Sequence, residues 1–202
     1  ITVEDTAELN LAKSHVLSLQ SRPANNEGKG EITLQQLVIN TLRQRPDRIV
    51  VGECRGPEAF DMLQAMNSGH DGSLTTTHAN NPRAALDRLQ NLVQMSRAGA
   101  NMPPDAIMKI ITEAVDFVVE IKRLPDGSRR VNSICEVCGM QGNVPTVGSI
   151  MKFQKTGVDS AGRIKGEVRP TGSRIVSEDH KERFYSNGVE IKSSWFDNGG
   201  LW

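Results

Sequence analysis

The sequence has few aromatic residues, and its charges cancel. Aromatic side chains make up 4% of the 202 residues, and 24 lysines and arginines balance 24 aspartates and glutamates. A nucleic-acid-binding domain usually carries a basic stripe and aromatic side chains that stack on bases, so this composition argues against nucleic acid as a ligand. The balanced charge also gives no electrostatic reason to expect attraction to an anionic membrane.

Long apolar runs and a disulfide framework are missing as well. No apolar run approaches the ~18 to 20 residues that a membrane-spanning helix needs. The cysteines (Cys54, Cys135 and Cys138) form no disulfide framework, which favours a reducing cytoplasmic compartment. The chain has no signal peptide and opens at Ile1 rather than at a methionine. We therefore interpret it as a piece of something longer, from which a targeting segment could have been lost.

What is present is an alternation of short β-branched runs with helical spacings. Strands are predicted at the start of the chain, at "RIVVGE" and at "SLTTT". Helices are predicted from Thr33, as N-cap, to about Arg45, then across "GPEAFDMLQAMNSG" and "NNPRAALDRLQNLVQM", and from about Asp105 to Ala114. This alternation predicts an α/β fold, with a mostly parallel sheet between helices on both faces.

The pattern changes toward the end of the chain. A strand, "DFVVEIKRL", leads through the turn "PDGS" into a second strand, "RRVNSICEV". Beyond it, glycines recur every few residues and indicate small β-ribbons, followed by a short charged helix over about 177–186 and an unpatterned end. We predict two domains, residues 1–145 and residues 146–202, the second being a small β-rich extension.

Polar residues follow three of the predicted strands. Glu4 and Asp5 follow the first strand, Glu53 follows "RIVV", and His78 follows "SLTTT". Functional groups in an open parallel sheet collect at the carboxyl ends of its strands, so these side chains line one crevice if the strands are neighbours. Carboxylates and an imidazole suit Mg²⁺-assisted phosphoryl transfer to water. Taken singly, each residue also fits a solvated strand end, a solvated loop or a structural hydrogen bond.

Two long stretches resemble a known family. "ITVEDTAEL" and "LRQRPDRIVVGECRGPEAFDMLQAMNSGHDGSLTTTHANNPRAALDRL" are similar, in content and order, to the ATPases of bacterial type II and type IV secretion and pilus assembly. The nearest resemblance is to the tight-adherence pilus (CpaF-type) branch. It implies a RecA-like P-loop NTPase core, of which this chain is the second half. The first stretch corresponds to the Asp box, "RIVVGE" to a Walker B strand ending in glutamate, and "GHDGSLTTTHAN" to the His box.

The resemblance implies a division of roles among the acids. Glu53 would be catalytic, ordering the Mg²⁺–water system for hydrolysis. Glu4 is the first candidate for polarising the attacking water, while Asp5 and Glu8 would contact water bound to Mg²⁺. The sequence does not rank these three acids firmly, and the resemblance implies no direct metal ligand.

The basic and imidazole side chains would sense the nucleotide. His78 would lie near the γ-phosphate and report its presence to the following helix, and His70 would support that loop or a subunit contact. Arg55 and Arg88 would pair with the acids, or an arginine would reach a phosphate across a subunit boundary, since its planar fork matches phosphate oxygens.

One part of the family pattern does not occur in these residues. The phosphate-binding loop G-x-x-x-x-G-K-[ST] is absent, and "NNEGKGE" has neither its spacing nor its hydroxyl residue. The chain alone is therefore expected to bind ATP weakly and to hydrolyse almost none. For the whole protein the resemblance implies ATP and Mg²⁺ as cofactors, a homo-hexamer, and a partner in the inner-membrane platform. It also implies a cytoplasmic location, peripheral at the inner membrane. The balanced charge and the few aromatic residues argue against nucleic acid as a partner.

Three other interpretations remain open at this point. Cys135 and Cys138 with His70 and His78 could nominally hold zinc, although a second Cys/His pair at finger-like spacing is lacking. The same core drives nucleic-acid translocases, against which the charge balance argues. A non-catalytic assembly subunit could also keep the fold for its interfaces alone.

Overall fold

The structure, a computed structural model, describes residues 1–197, which form two compact units. One unit comprises residues 1–80 and 84–114; the other begins at Val115 and also includes residues 81–83. The elements are β1 (Thr2–Glu4), β2 (Ser18–Gln20), α1 (Leu34–Thr41), β3 (Val50–Val51), α2 (Glu58–Met66), β4 (Leu74–Thr75), α3 (Pro82–Gln94), α4 (Pro104–Ala114), β5 (Phe117–Arg123), β6 (Arg129–Gln141), β7 (Val144–Val158), β8 (Ile164–Pro170) and α5 (Glu178–Ser186).

The first unit is built on a parallel sheet in the order β2-β1-β3-β4. Thr2 pairs with Val50, and Val50 pairs with Leu74, so the three strands predicted to carry polar ends are neighbours with the same direction. The predicted α/β class is confirmed. β2 is a strand that the sequence did not predict; its three residues pair in parallel with β1 and extend the sheet by one strand.

Apolar side chains from the sheet and from four helices form the core of this unit. On each of α2, α3 and α4 they recur at the three- and four-residue spacing that places side chains on one helix face. The buried positions include Val3, Val38, Val51, Ala59, Met62, Leu63, Leu86, Leu89, Val93, Ile107, Met108 and Ile111. The sheet is thereby held rigidly at its interior, and its carboxyl edge is left for polar groups.

α1 begins where the sequence predicts but ends sooner. The Thr33 hydroxyl accepts a hydrogen bond from the Gln36 amide at 3.2 Å, and the Gln36 side chain accepts one from the Thr33 amide at 2.9 Å. This reciprocal capping confirms Thr33 as the N-cap. The helix ends at Thr41 rather than near Arg45, because Arg45 has a left-handed φ of 53° and precedes a proline, neither of which continues a helix.

The second unit contains an antiparallel sheet in the order β5-β6-β7-β8. The small ribbons expected after residue 146 are instead strands of this sheet, and β7 alone has 15 residues. β6 pairs with both β5 and β7, so strands on either side of the predicted boundary at residue 145 share one hydrogen-bonded ladder. The division between the compact units therefore falls before β5 and differs from the predicted one.

Glycine within these strands has a packing explanation. A Cβ on Gly166 would lie 2.5 Å from Cζ of Phe153, so the phenylalanine ring of β7 lies against the bare backbone of β8. Glycine at this position of β8 therefore makes room for the ring of Phe153 and does not end the strand.

α5, over Glu178–Ser186, confirms the short charged helix predicted near residues 177–186. Ile150, Ile175 and Phe196 form a small apolar cluster beside it, against which Phe117 and Phe184 pack. The remainder of the unpatterned end contains a 3₁₀ turn at Ser193–Trp195, and residues 198–202 lie outside the described part.

A buried histidine ties α5 to the sheet. His180 Nδ1 lies 2.8 Å from Glu136 Oε1, and Nε2 lies 3.1 Å from Asp116 Oδ1. The hydrogen bond to Asp116 is the largest cause of a raised pKa at His180, and the bond to Glu136 adds to it against the opposing effect of burial. Burial by itself raises the pKa of Glu136, but hydrogen bonds from the Val176 amide, His180 and the Ser177 amide outweigh it and lower that pKa.

The charged cluster of His180, Asp116 and Glu136 predicts that the stability of the fold depends on pH. His180→Gln is expected to remove the part of this dependence that His180 causes. The raised pKa stabilises the fold fully below the ordinary histidine pKa of 6.5, and the contribution is lost as pH rises through the folded-state value. The lowered pKa of Glu136 contributes stability at pH values above the ordinary glutamate pKa of 4.5. We expect the substitution to cost about 1.5–3 kcal/mol near pH 5.5, the range for hydrogen bonds to charged groups, and less at pH 8.5.

Urea unfolding followed by tryptophan fluorescence measures this difference, since both tryptophans of the sequence follow α5. His15→Gln is the matched control, because His15 is exposed. An equal loss of stability at both pH values would contradict the charged cluster.

Candidate functional site

The carboxyl ends of β1, β3 and β4 bring charged side chains together. Glu53 Oε1 lies 3.4 Å from His78 Nε2, and Glu53 Oε2 lies 3.4 Å from Arg55 Nε. Glu53 is 27% exposed, whereas the His78 side chain is 92% exposed and reaches into solvent. The structure thus places the carboxylate between an arginine and an imidazole at the edge of the parallel sheet.

Arg55 links this carboxylate to the end of β1. Its guanidinium pairs with Asp5, whose other oxygen accepts a hydrogen bond from the Ser21 hydroxyl at 2.7 Å. The hydrogen bond with Asp5 is the largest cause of the raised pKa of Arg55, followed by the negative charge of Glu53. Ion pairs this exposed add little to stability, so their importance here lies in geometry.

Glu4 is more buried than Asp5, Glu8 and Glu53, and it organises the loop that follows β1. It is 5% exposed, and its Oε1 accepts hydrogen bonds from the backbone amides of Glu8 and Leu9, each at 3.0 Å. A Cβ on Gly52 would lie 3.0 Å from Glu4 Cγ, so glycine at the end of β3 makes room for this side chain. Glu8 itself is exposed and enters the arrangement through its backbone.

The threonine run before His78 is what joins β4 to the segment around Glu53. The Thr76 hydroxyl donates to the Gly52 carbonyl at 2.6 Å, and the Cys54 amide donates to the Thr76 carbonyl at 2.9 Å. The Thr77 hydroxyl donates to the Cys54 carbonyl at 3.4 Å. Side chains and backbone therefore hold the two strand ends in register, which keeps the imidazole next to the carboxylate.

Two of the predicted site residues lie apart from these contacts. His70 Nδ1 is 3.2 Å from the Ala65 carbonyl at the end of α2, and the His70 carbonyl accepts from the Ser73 hydroxyl at 2.7 Å. Arg88 is exposed on α3, and its side chain makes no hydrogen bond or ion pair with any residue from 1 to 197. The supporting role of His70 and the sensing role of Arg88 stay predictions.

Glu58 is a part of this edge that the sequence did not single out. It is 5% exposed, and its Oε1 accepts hydrogen bonds from the backbone amides of Arg55 at 2.6 Å and Gly56 at 2.7 Å. The available signal was an acidic residue directly after Pro57 at the start of a helix, which usually indicates only a favourable charge in the first turn.

Cys135 and Cys138 contact hydrogen-bonding groups of their own strand and, in the described part of the chain, no histidine. Cys135 Sγ lies 3.7 Å from the Ser133 hydroxyl, and Cys138 Sγ lies 3.8 Å from the Glu136 carbonyl, both within β6. Over residues 1–197 the structure contains no group of three or more His, Cys, Asp or Glu side chains placed to hold a metal ion.

In the same residues, none of the helices combines the length and apolar character that crossing a bilayer requires.

The first unit has a parallel α/β core with acids and an imidazole at its carboxyl edge, and comparison with a solved structure places it in the RecA-like fold class. This chain is similar to the crystal structure of the VirB11 ATPase from the Brucella suis type IV secretion system in complex with sulphate, with a TM-score of 0.59 and 30% identity. The match covers 67% of this chain and 39% of that one. Residues 1–189 match the family described as "Type II/IV secretion system protein", and the chain belongs to that family.

Curated relatives agree with this assignment. A putative conjugal transfer protein of Mycobacterium tuberculosis is 40% identical over 147 residues, which cover 73% of this chain and 41% of the relative. VirB11 of Agrobacterium fabrum is 38% identical over 123 residues, covering 60% and 35%. The chain thus spans about two fifths of these relatives or less. The tight-adherence branch is not distinguished by these matches and stays a prediction.

The buried Cys54, in the loop that follows β3, gives a prediction about thiol reactivity. Cys54 lies between Glu53 and Arg55 but is 1% exposed, and burial, the largest cause, raises the pKa of its thiol to about 12. With Cys135 and Cys138 replaced by serine, we expect Cys54 to react with a disulfide reagent at pH 8 roughly 100-fold or more slowly than in the urea-unfolded chain, because thiolate is the reactive form. Equal rates would show that Cys54 faces solvent.

Proposed function

We propose that the whole protein is a motor ATPase subunit that hydrolyses ATP to power pilus assembly or protein secretion across the bacterial envelope. This chain would supply the hydrolytic side of the site. The observation that carries the proposal is the position of Glu53 between Arg55 and His78, at the carboxyl edge of a parallel sheet, in a chain of the secretion family.

Glu53 is suited to orient a water molecule. Its carboxylate is partly exposed and contacts two groups that can donate hydrogen bonds, Arg55 Nε and His78 Nε2, each at 3.4 Å. A carboxylate held in this way can accept a proton from water as the water attacks a phosphorus atom. We propose this as its role in hydrolysis.

Glu4 remains our candidate for polarising the same water. Its Oε1 is committed to the loop amides of Glu8 and Leu9, which leaves Oε2 as the oxygen able to face a reactant. Asp5 is paired with Arg55, and Glu8 lies further out in solvent. We therefore rank Glu4 ahead of Asp5 and Glu8, with the latter two contacting water bound to a cation.

The residues present fit the water shell of Mg²⁺ better than direct ligation. The edge offers carboxylates, the ligand type that Mg²⁺ prefers, but residues 1–197 bring no three of them together as a metal-binding group. Glu53, Asp5 and Glu8 would hold the ion through its water molecules. When bound with ATP, Mg²⁺ neutralises charge on the phosphates.

His78 is suited to report on the γ-phosphate. Its side chain is 92% exposed and contacts Glu53, and α3 begins four residues after it. Because an imidazole N–H can donate either to the carboxylate or to a phosphate oxygen, the arrival of phosphate can move it between two partners. We propose two arginines for phosphate contact. They are Arg55, which forms ion pairs with Asp5 and Glu53, and Arg88, which is exposed on α3.

The phosphate-binding loop and the subunit contacts would come from other parts of the protein and from its partners. We propose that the phosphate-binding loop lies outside these 202 residues, so that the chain alone binds ATP weakly and hydrolyses almost none. The assembly we propose is a homo-hexamer on the cytoplasmic side of the inner membrane, bound to a platform protein. Membership of the secretion family supports this arrangement.

Glu53→Gln in the full-length protein tests the proposal. General base catalysis by a positioned side chain contributes about 10²- to 10⁴-fold, so we expect kcat for ATP hydrolysis to fall by at least roughly 100-fold with nucleotide affinity within about threefold. Phosphate release and equilibrium binding of a fluorescent ATP analogue measure the two quantities. Glu113→Gln, on the exposed face of α4, is the control. Turnover near the wild-type rate in Glu53→Gln would refute the assignment.

His78→Ala is expected to reduce turnover more than nucleotide affinity. We expect a loss of about tenfold in kcat, equivalent to ~1.4 kcal/mol in the barrier, with ATP affinity changed by less than about twofold. His70→Ala serves as the paired variant, since His70 contacts the end of α2 and not Glu53. Equal kcat values for wild type and His78→Ala would leave His78 a structural residue.

A further inference from the structure

Glu58 is a buried carboxylate directly behind the proposed site. One of its oxygens, Oε1, accepts hydrogen bonds from two successive backbone amides, those of Arg55 at 2.6 Å and Gly56 at 2.7 Å. Hydrogen bonds from amides to a carboxylate are about twice as strong as those between neutral groups. With 5% of the residue exposed, water competes little for them. The chain is therefore clamped where it leaves β3 and turns toward α2.

The clamp does not act as an ordinary helix cap. α2 begins at Glu58 after Pro57, and no side chain caps its first turn. The two amides that Glu58 binds belong to residues before the helix, in the loop that carries Arg55. A Cβ on Gly56 would lie 3.0 Å from Glu58 Oε2, so the carboxylate lies directly against the bare α-carbon of the loop.

The same loop is held from its other side by β4. The Cys54 amide donates to the Thr76 carbonyl at 2.9 Å, and the buried Cys54 side chain points into the core. With its backbone fixed on both sides, the loop directs Arg55 outward to Asp5 and Glu53. The position of the guanidinium thus depends on a group that lies beneath it.

We infer that Glu58 is a positioning residue that clamps the backbone of Arg55 so that its guanidinium bridges Glu53 and Asp5 at the edge where ATP is hydrolysed. The inference rests on the proposed function for its catalytic consequence. The clamp itself is a property of the fold and can be measured separately.

Two substitutions separate the clamp from the charge of Glu58. In the full-length protein, Glu58→Gln keeps an oxygen that can accept both amides, so we expect kcat for ATP hydrolysis within about threefold of wild type. Glu58→Ala leaves two buried amides without a partner, and we expect kcat to fall roughly tenfold with ATP affinity nearly unchanged. In an Arg55→Ala background, Glu58→Ala should lower kcat no further, because the residue that it positions is gone.

Hydrogen exchange supplies a readout that does not depend on activity. Peptides covering residues 54–57 should exchange at least about tenfold faster in Glu58→Ala than in wild type, while Glu58→Gln stays protected. Unchanged exchange would overturn the clamp and leave the ATPase assignment standing. Independent losses of kcat from Glu58→Ala and Arg55→Ala would overturn positioning through Arg55. A wild-type protein with no hydrolysis would instead overturn the proposed function and, with it, the catalytic consequence of the clamp.

Discussion

The parallel pairing of β3 between β1 and β4 is the constraint on which the candidate site depends. Strands of two or three residues contribute few hydrogen bonds, yet their register determines which side chains leave the sheet together. Val3 and Val51 are almost fully buried, so a slip of the pairing by one residue would move these valines out of the core. The burial of these valines therefore specifies where Glu4 and Glu53 emerge.

Hydrogen bonds beyond the strands convert this register into a site. The threonine hydroxyls connect β4 to the backbone around Glu53, the Glu58 carboxylate holds the following turn, and Glu4 organises the loop after β1. These contacts occupy the threonine hydroxyls, Glu58 Oε1 and Glu4 Oε1, and they leave Glu4 Oε2 for a reactant. They leave Glu53 and His78 as the more accessible groups, supported by a rigid surrounding, which is the arrangement that catalysis by positioned side chains requires.

Much of the fold and part of the site could be predicted from sequence, because burial and capping have local signatures. The β-branched runs, the Thr33 cap and the polar residues after three strands indicated a parallel sheet with chemistry at one edge, and the resemblance indicated the family. β2 was missed because an exposed three-residue strand has little apolar pattern. The strands after residue 145 were misjudged because the ring of Phe153 compensates for Gly166 only in three dimensions. Glu58 was missed because its partners are backbone amides, which no residue type reveals.

The most direct test of this account is the structure of the full-length protein bound to Mg²⁺ and a non-hydrolysable ATP analogue. We predict that the γ-phosphate lies at the carboxyl edge of the parallel sheet, with His78 within hydrogen-bonding distance of it and Glu53 directed at an ordered water beside the phosphorus. A nucleotide bound elsewhere, with Glu53 and His78 still facing each other in solvent, would contradict the claim that this edge performs the chemistry.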